Sequence, residues 1–315
     1  MDHSLHLAFS MKAIRIHSYG HSDKTQIEEA PRPTPKKEEV LVRIRAAGVN
    51  PIDWKIREGE MKVWSPASFP LTLGQDFAGE VIELGADVKN FDPGDEVYGV
   101  TDGAYAELSV ASVNEITLKP RSLDSVAAAA LPTPALTAYQ IVTEVVQVVK
   151  DQTILIIGAA GGVGSFATQL CKWKGARVIA VASAASSDYL KSLGVDQIID
   201  YKTERFEEKV LNVDAVIDLV GGDSLTRSFL VVKPSGLVVT SVGPLDESKA
   251  RERGVRAVEF VMQARASDLA EIAKLVDQGI LKPRLSKVMS LVQAKEAQDL
   301  NQSGQSHGKV VLKVA

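Results

Sequence analysis

The stretch from Thr153 to Ser183, TILIIGAAGGVGSFATQLCKWKGARVIAVAS, constrains the fold more than any other part of the chain. It opens on an apolar run, Ile154 to Ile157, short enough for a fully buried strand, and passes at once into a glycine-rich turn. Ser165 to Trp173 then reads as a helix, and Arg177 to Ala182 as a second buried strand. Strand, glycine turn, helix and strand in this order form a βαβ unit of the kind that binds a dinucleotide. In the spacing Ala159-x-Gly161-x-x-Gly164, the residue at 159 takes the tight turn. Gly161 admits a pyrophosphate to the backbone, and Gly164 lets the helix lie close to the strand. Gly162 and Val163 lie between them and complete the turn. The helix start offers free N–H groups and a partial positive charge to the phosphates.

The end of the second strand indicates which dinucleotide. A site for NAD places Asp or Glu there to hold the ribose 2′-hydroxyl. Here the residues are Ser183, Ala184, Ala185, Ser186 and Ser187, with no acid to repel a 2′-phosphate. Hydroxyls of Ser183, Ser186 and Tyr201 are the expected donors to that phosphate, with Lys191 or Lys202 supplying positive charge. The cofactor read from these residues is NADP(H).

Length and composition set the frame. A chain of 315 residues suggests about two domains. Lys plus Arg total 36 against 40 Asp plus Glu, a net charge of −4, which argues against a nucleic-acid binder with a basic face. The lone cysteine, Cys171, excludes an intrachain disulfide and any cysteine-rich zinc site. No apolar run reaches the ~18 residues of a membrane span. The start, MDHSLHLAFSM, lacks the regions of a signal peptide. Residues 1–10 read as a loose extension, and the cytoplasm is the expected compartment.

Along the chain, the first 120 or so residues carry short, half-buried strands punctuated by Gly and Pro, the pattern of a small β-barrel-like domain. One of these strands, VLVRIRAAG at 40–48, leads to Asn50, and Pro51 disfavours helix at Asn50 itself. Asn50 therefore sits at a strand-to-helix junction. From about residue 125 the pattern changes to alternating helices and strands, which implies a parallel sheet covered on both faces. The tail from Leu285 onward returns to β and helix pieces and is expected to pack on the first domain. The division is residues 11–130 with 280–315 for the catalytic domain, and 131–279 for the dinucleotide-binding domain. Residues 255–262 read as an edge strand able to pair with its counterpart in a homodimer.

Five motifs in order resemble the medium-chain dehydrogenase/reductase superfamily, and most of all its zinc-free quinone oxidoreductase and enone reductase branch. They are AAGVNPIDWKIREG (46–59), LGQDFAGEVIELGADVKNFDPGDEVYG (73–99), AALPTPALTAYQ (129–140), GAAGGVG (158–164) and HGKVVLKV (307–314). The resemblance implies an α/β protein with a GroES-like β-barrel-type catalytic domain and a Rossmann doubly wound parallel-sheet domain. It implies an oligomer, a homodimer being the expectation. Zinc-dependent relatives carry Cys near the position of Asn50, His near that of Gln75, and four cysteines for a second zinc. This chain has none of these, so no metal is expected. Without a Lewis acid, hydride addition to a quinone or to the β-carbon of an α,β-unsaturated carbonyl is easier than alcohol oxidation, because hydrogen bonds can stabilise charge on a carbonyl oxygen.

The resemblance assigns roles residue by residue. Asn50 lies beside the nicotinamide and substrate as a donor to the developing oxyanion. Asp53, Lys55 and Met61 belong to the substrate pocket, and the last two replace tyrosines of typical quinone reductases. Thr137, Gly161, Gly162, Val163 and Gly164 hold the carboxamide and phosphates; Ser183, Ser186 and Tyr201 hold the 2′-phosphate. Val220, Ser241, Val242 and Gly243 line the nicotinamide half. The alternative function is a non-catalytic NADPH-binding protein, regulatory or crystallin-like.

Overall fold

The computed structural model describes residues 9–64 and 66–314. The expected loose extension falls outside the described residues as far as residue 8, and the first strand among the described residues begins at Ser10. The chain divides into two compact units. The first runs up to Thr133 and takes in Ala264–Asp277 and the residues from Pro283 on; the second comprises Pro134–Gln263 and Gln278–Lys282.

In the first unit, β1 (Ser10–Ile16) pairs with β2 (Gln26–Pro31) on one side and β4 (Leu71–Thr72) on the other. The second sheet is built on β3 (Glu39–Val49), an eleven-residue strand long enough to serve three neighbours. It pairs antiparallel with β5 (Asp76–Leu84) along its length, with β7 (Leu108–Ser112) over its first half and with β16 (Lys309–Lys313) over its second. β6 (Glu96–Val100) and β8 (Ile116–Leu118) extend the β5 side, and β15 (Leu285–Ser290) extends the β16 side. Their inward residues, among them Val42, Ile44, Phe77, Val97, Val310 and Leu312, form one core.

The register fixes one end of this sheet. Gly48 lies opposite Asp76 on β5, and Val49 lies opposite Val310 on β16. Gly48 has to be glycine, because a Cβ there would stand 2.3 Å from the Ala129 carbonyl oxygen. Helix α1 (Pro51–Glu58) starts immediately after β3, with Pro51 in the first helical position, where a missing N–H costs nothing. It ends at Gly59, whose φ of +81° is open to glycine. The buried Arg57 ties it down by donating to Gln298 Oε1 at 2.7 Å and Glu58 Oε1 at 2.7 Å.

The second unit is the expected doubly wound sheet. β9 (Thr153–Ile157) lies between β10 (Arg177–Ala182) and β12 (Val213–Asp218), all parallel. β11 (Gln197–Asp200) extends one flank, and β13 (Val232–Thr240) and β14 (Arg256–Glu259) the other, giving the order β11-β10-β9-β12-β13-β14. The reversal of strand order between β9 and β12 opens a crevice at their carboxyl ends, where such sheets bind ligands.

The remaining helices are α2 (Ser125–Ala128), α3 (Pro132–Gln140), α4 (Gly162–Trp173), α5 (Ser187–Ser192), α6 (Asp223–Ser228), α7 (Glu247–Arg253), α8 (Ala266–Asp277) and α9 (Ala294–Gln302). α3 opens on Pro132 and Pro134, both in its first turn, where proline is tolerated. It widens into a π turn at Ile141–Val145. α8 groups with the first unit because its backbone and side chains bond there: Ala266 N–H donates to Asn114 O at 2.7 Å, and Asp277 accepts from Ser122 at 2.7 and 2.9 Å.

The contact between α4 and β9 rests on one missing methyl. A Cβ on Gly164 would stand 2.2 Å from the Gly158 carbonyl oxygen and 2.8 Å from Ala159 Cα, both backbone atoms. Gly164→Ala should lower unfolding stability by about 1–3 kcal/mol, the usual cost of overpacking, read from urea denaturation. An unchanged midpoint would contradict this packing.

Candidate active site

The dinucleotide end is assembled from strand termini. Gly161 caps α4, and Gly162, Val163 and Gly164 make its first turn, after β9. Ser183 follows β10, Tyr201 follows β11, Val220 follows β12, and Ser241, Val242 and Gly243 follow β13. All these expected residues therefore lie at the carboxyl ends of the sheet. Thr137 lies on α3 of the same unit and is buried. The tight turn belongs to Gly158, with φ of +81°, and not to Ala159. That corrects the sequence reading: Ala159 follows the left-handed residue and needs no glycine. Val220 and Val242 close the neighbouring strand ends, since a Cβ on Gly158 would stand 3.1 Å from Val220 Cγ2 and one on Gly221 3.2 Å from Val242 Cγ2. The glycine cradle and helix start fit a dinucleotide diphosphate.

At the ribose end, Tyr201 is 60% exposed and Ser183 half-buried, whereas Ser186 is buried beneath a single 3-10 turn, Ala184–Ser186. Lys191 lies 3.9 Å from Asp188 on the surface, and Lys202 is exposed. The sequence reading missed Asp218. Its buried carboxylate accepts from the N–H groups of Val220 (2.8 Å) and Gly221 (2.7 Å) and from Ser224 Oγ (2.8 Å), and so shapes the loop that carries Val220. An Asp at a strand end before Gly-Gly is the signal that marks such a loop.

In the first unit, the sheet end set by Gly48 gathers a buried polar cluster. Asn50 is the N-cap of α1 and 3% exposed. Asp53, one turn on, accepts from the Asn50 N–H at 2.7 Å and from Tyr105 Oη at 2.8 Å. Asp76, at the start of β5, accepts from the Thr133 N–H at 3.0 and 3.1 Å and from Thr133 Oγ1 at 2.5 Å. Lys309 begins β16 and is buried; its Nζ donates to Val49 O at 2.8 Å and to Asn50 Oδ1 at 2.5 Å. Asn50 Nδ2 lies near enough to Asp76 to help hold that carboxylate charged, yet it makes no well-formed hydrogen bond.

Burial dominates the electrostatics. Desolvation pushes Asp53 up to about 7, against the N–H of Asn50 and the hydroxyl of Tyr105, with the charge of Asp76 adding to the rise. Asp76 is also raised by burial, and Lys309 and Thr133 oppose the shift. Burial lowers Lys309, and the two carboxylates oppose that. Tyr105 is held far above its ordinary value.

A cavity of about 250 Å³ opens beside the cluster, with Asp53, Ile56, Leu71, Thr72, Gln75 and Asp102 on its wall. Of the three residues expected in a substrate pocket, Asp53 lines this cavity. Lys55 and Met61 do not: the Lys55 ammonium stands 5.6 Å from the Trp54 ring centroid, and Met61 lies half-buried in the turn after α1. Lys309, Tyr105 and Thr133 were not anticipated from the sequence. The only signal for Lys309 is a lysine opening an apolar strand in HGKVVLKV.

Family profiles match both units: "Alcohol dehydrogenase GroES-like domain" over residues 36–121 and "Zinc-binding dehydrogenase" over residues 193–312. The name of the second raises the question of zinc. Among the described residues, no three His, Cys, Asp or Glu side chains come together as a group that could hold a metal ion. The chain is 32% identical to the chloroplast envelope quinone oxidoreductase homolog of Arabidopsis thaliana, over 96% of this chain and 98% of that protein. It is 33% identical to 2-methylene-furan-3-one reductase of Solanum lycopersicum, over 98% and 80%. Among solved structures, the quinone oxidoreductase of Coxiella burnetii superposes with a TM-score of 0.91 at 36% identity, over 97% of this chain and all of that one. The Escherichia coli quinone oxidoreductase complexed with NADPH superposes at 0.88 with 27% identity, over 96% and 99%.

The raised Asp53 carboxyl predicts a pH effect on stability. In the unfolded chain this group ionises near ~4, and in the folded protein near about 7. Between those values the folded state holds a proton that the unfolded state has lost, so stability falls as pH rises through the window. Asp53→Asn should flatten that fall, leaving the part due to Asp76. Urea midpoints measured from pH 4 to pH 7 test this, and an unchanged slope would contradict it.

Proposed function

The chain belongs to the medium-chain dehydrogenase/reductase superfamily, in its quinone oxidoreductase branch, and on that premise we propose an NADPH-dependent reductase that works without zinc. Its acceptors are quinones and α,β-unsaturated carbonyls. The observation that carries this reading is the buried, clamped Asn50 at the β3–α1 junction, with an amide nitrogen not engaged in a well-formed hydrogen bond.

NADPH supplies the hydride when bound. Gly158, Gly161 and Gly164 leave room for its diphosphate at the start of α4, and the reading takes Ser183 and Tyr201, after β10 and β11, as hydroxyl donors to a 2′-phosphate, with no acid among residues 183–187. Addition of hydride to the β-carbon of an enone, or to a quinone, moves negative charge to a carbonyl oxygen. This reading assigns the donor for that charge to Asn50 Nδ2, which is buried on the side of Asp76, in a medium of low dielectric where one donor counts for more than in water. Asp53 holds the Asn50 backbone from the other side. The 250 Å³ cavity beside Asp53 receives part of the acceptor in this reading.

The single cysteine is buried and free, and the reading takes the cytoplasm as the compartment. Among the described residues no helix is long and apolar enough to cross a membrane. β14 is an edge of its sheet, and Val261 beyond it is 79% exposed. The reading takes this edge as a homodimer contact. Sedimentation at micromolar concentration should give a dimer, and a monomer would remove the contact.

Metal-stripped protein should oxidise NADPH with an ortho-quinone or a medium-chain enone, faster than it oxidises NADH. Asn50→Ala should lower kcat about 10²-fold, the usual loss for one oxyanion donor. Tight NADPH binding without turnover on either acceptor would overturn the enzymatic reading.

A further inference from the structure

We propose that Lys309 is a positioning residue of the reaction: its buried ammonium fixes the Asn50 side-chain amide so that the nitrogen end, and not the oxygen end, is offered to the acceptor. The inference rests on the reading of Asn50 as the donor to the acceptor's oxygen.

An ammonium is a donor only, with three N–H groups and no lone pair. An asparagine amide has an accepting end and a donating end that differ little in shape. Lys309 Nζ stands 2.5 Å from one end of the Asn50 amide and 2.8 Å from Val49 O. Chemistry alone then requires that the near end be Oδ1. Nδ2 is then turned away from Lys309, on the side of Asp76, and is the end of the amide left to donate. Reversed, the amide would present an oxygen to a developing oxyanion and repel it.

The fold holds Lys309 in this position. β16 pairs with β3 in a register that sets Val310 against Val49, so Lys309 falls beside the residue that follows β3. Gly308, with φ of +146°, precedes it, and a Cβ there would stand 2.9 Å from Arg284 O. Val310, Val311 and Leu312 after it are fully buried. Asp76 supplies the compensating charge and is itself held by two groups of Thr133. An ammonium buried in this way costs several kcal/mol before its partners are counted. A methionine of similar volume would fill the space without that cost, so packing alone does not call for a lysine here. The same positive charge also polarises the amide to which it donates, and that strengthens the opposite N–H as a donor.

A double-mutant cycle over Lys309→Met and Asn50→Ala tests the inference. Lys309→Met should lower kcat about 30-fold or more with the NADPH dissociation constant unchanged, and the double variant should lie within about threefold of Asn50→Ala, because both changes remove one device. Multiplying effects, or a folded Lys309→Met variant within about threefold of wild-type kcat, would overturn it. If Lys309→Met does not fold, Lys309→Met with Asp76→Asn removes the unpaired carboxylate as well and carries the same cycle. Wild-type turnover by Asn50→Ala would instead overturn the reading of Asn50.

Discussion

The ammonium of Lys309 is buried, and the end of the first unit's sheet is arranged around that fact. Val49 O and Asn50 Oδ1 accept from it, and Asp76 balances its charge. Asn50, Asp76 and Lys309 lie on three different stretches of chain, and each arrives through strand register: Asn50 follows β3, Asp76 opens β5, and Lys309 opens β16. A shift of one residue in either pairing would turn these side chains to the other face of the sheet. Gly48, where β3, β5 and the Ala129 carbonyl come closest, is the steric condition for that register. The charge cluster and the close backbone packing are thus two aspects of one constraint.

The second unit meets a different requirement by similar means. A phosphate has to reach backbone N–H groups, so side chains must be absent where it lies. Gly158 supplies the left-handed turn and Gly164 the close helix contact. Asp218 shapes the neighbouring loop, at the carboxyl end of β12, through three hydrogen bonds. Both units therefore hold their functional groups on strand termini, where position is set by sheet geometry and not by loop conformation.

How much of this is legible in the sequence follows from the range of each interaction. The βαβ unit, the α4 N-terminus and the place of Asn50 at a strand–helix junction depend on residues a few positions apart, and local pattern reveals them. Lys309 lies 259 positions from Asn50 and Tyr105 lies 52 from Asp53, so their roles exist only once β16 and the segment before β7 have folded back. Nothing local distinguishes a strand-opening lysine from a solvated one. Lys55, four residues from Pro51 in the same motif, is closer in sequence to the site yet stacks near Trp54 off the cavity wall. The assignment of the tight turn to Ala159 failed on a one-residue offset, because a glycine pair at 158 and 161 fits two registers until backbone angles are known.

The central claim is that the Asn50 amide stabilises charge during the hydride step itself. Single-turnover oxidation of NADPH, and of NADPH deuterated at the transferred position, isolates that step from product release in wild type and in Asn50→Ala. The account predicts a rate about 10²-fold lower in the variant, with a primary isotope effect at least as large as in wild type. A wild-type single-turnover rate, or a slowed rate with the isotope effect abolished, would contradict it.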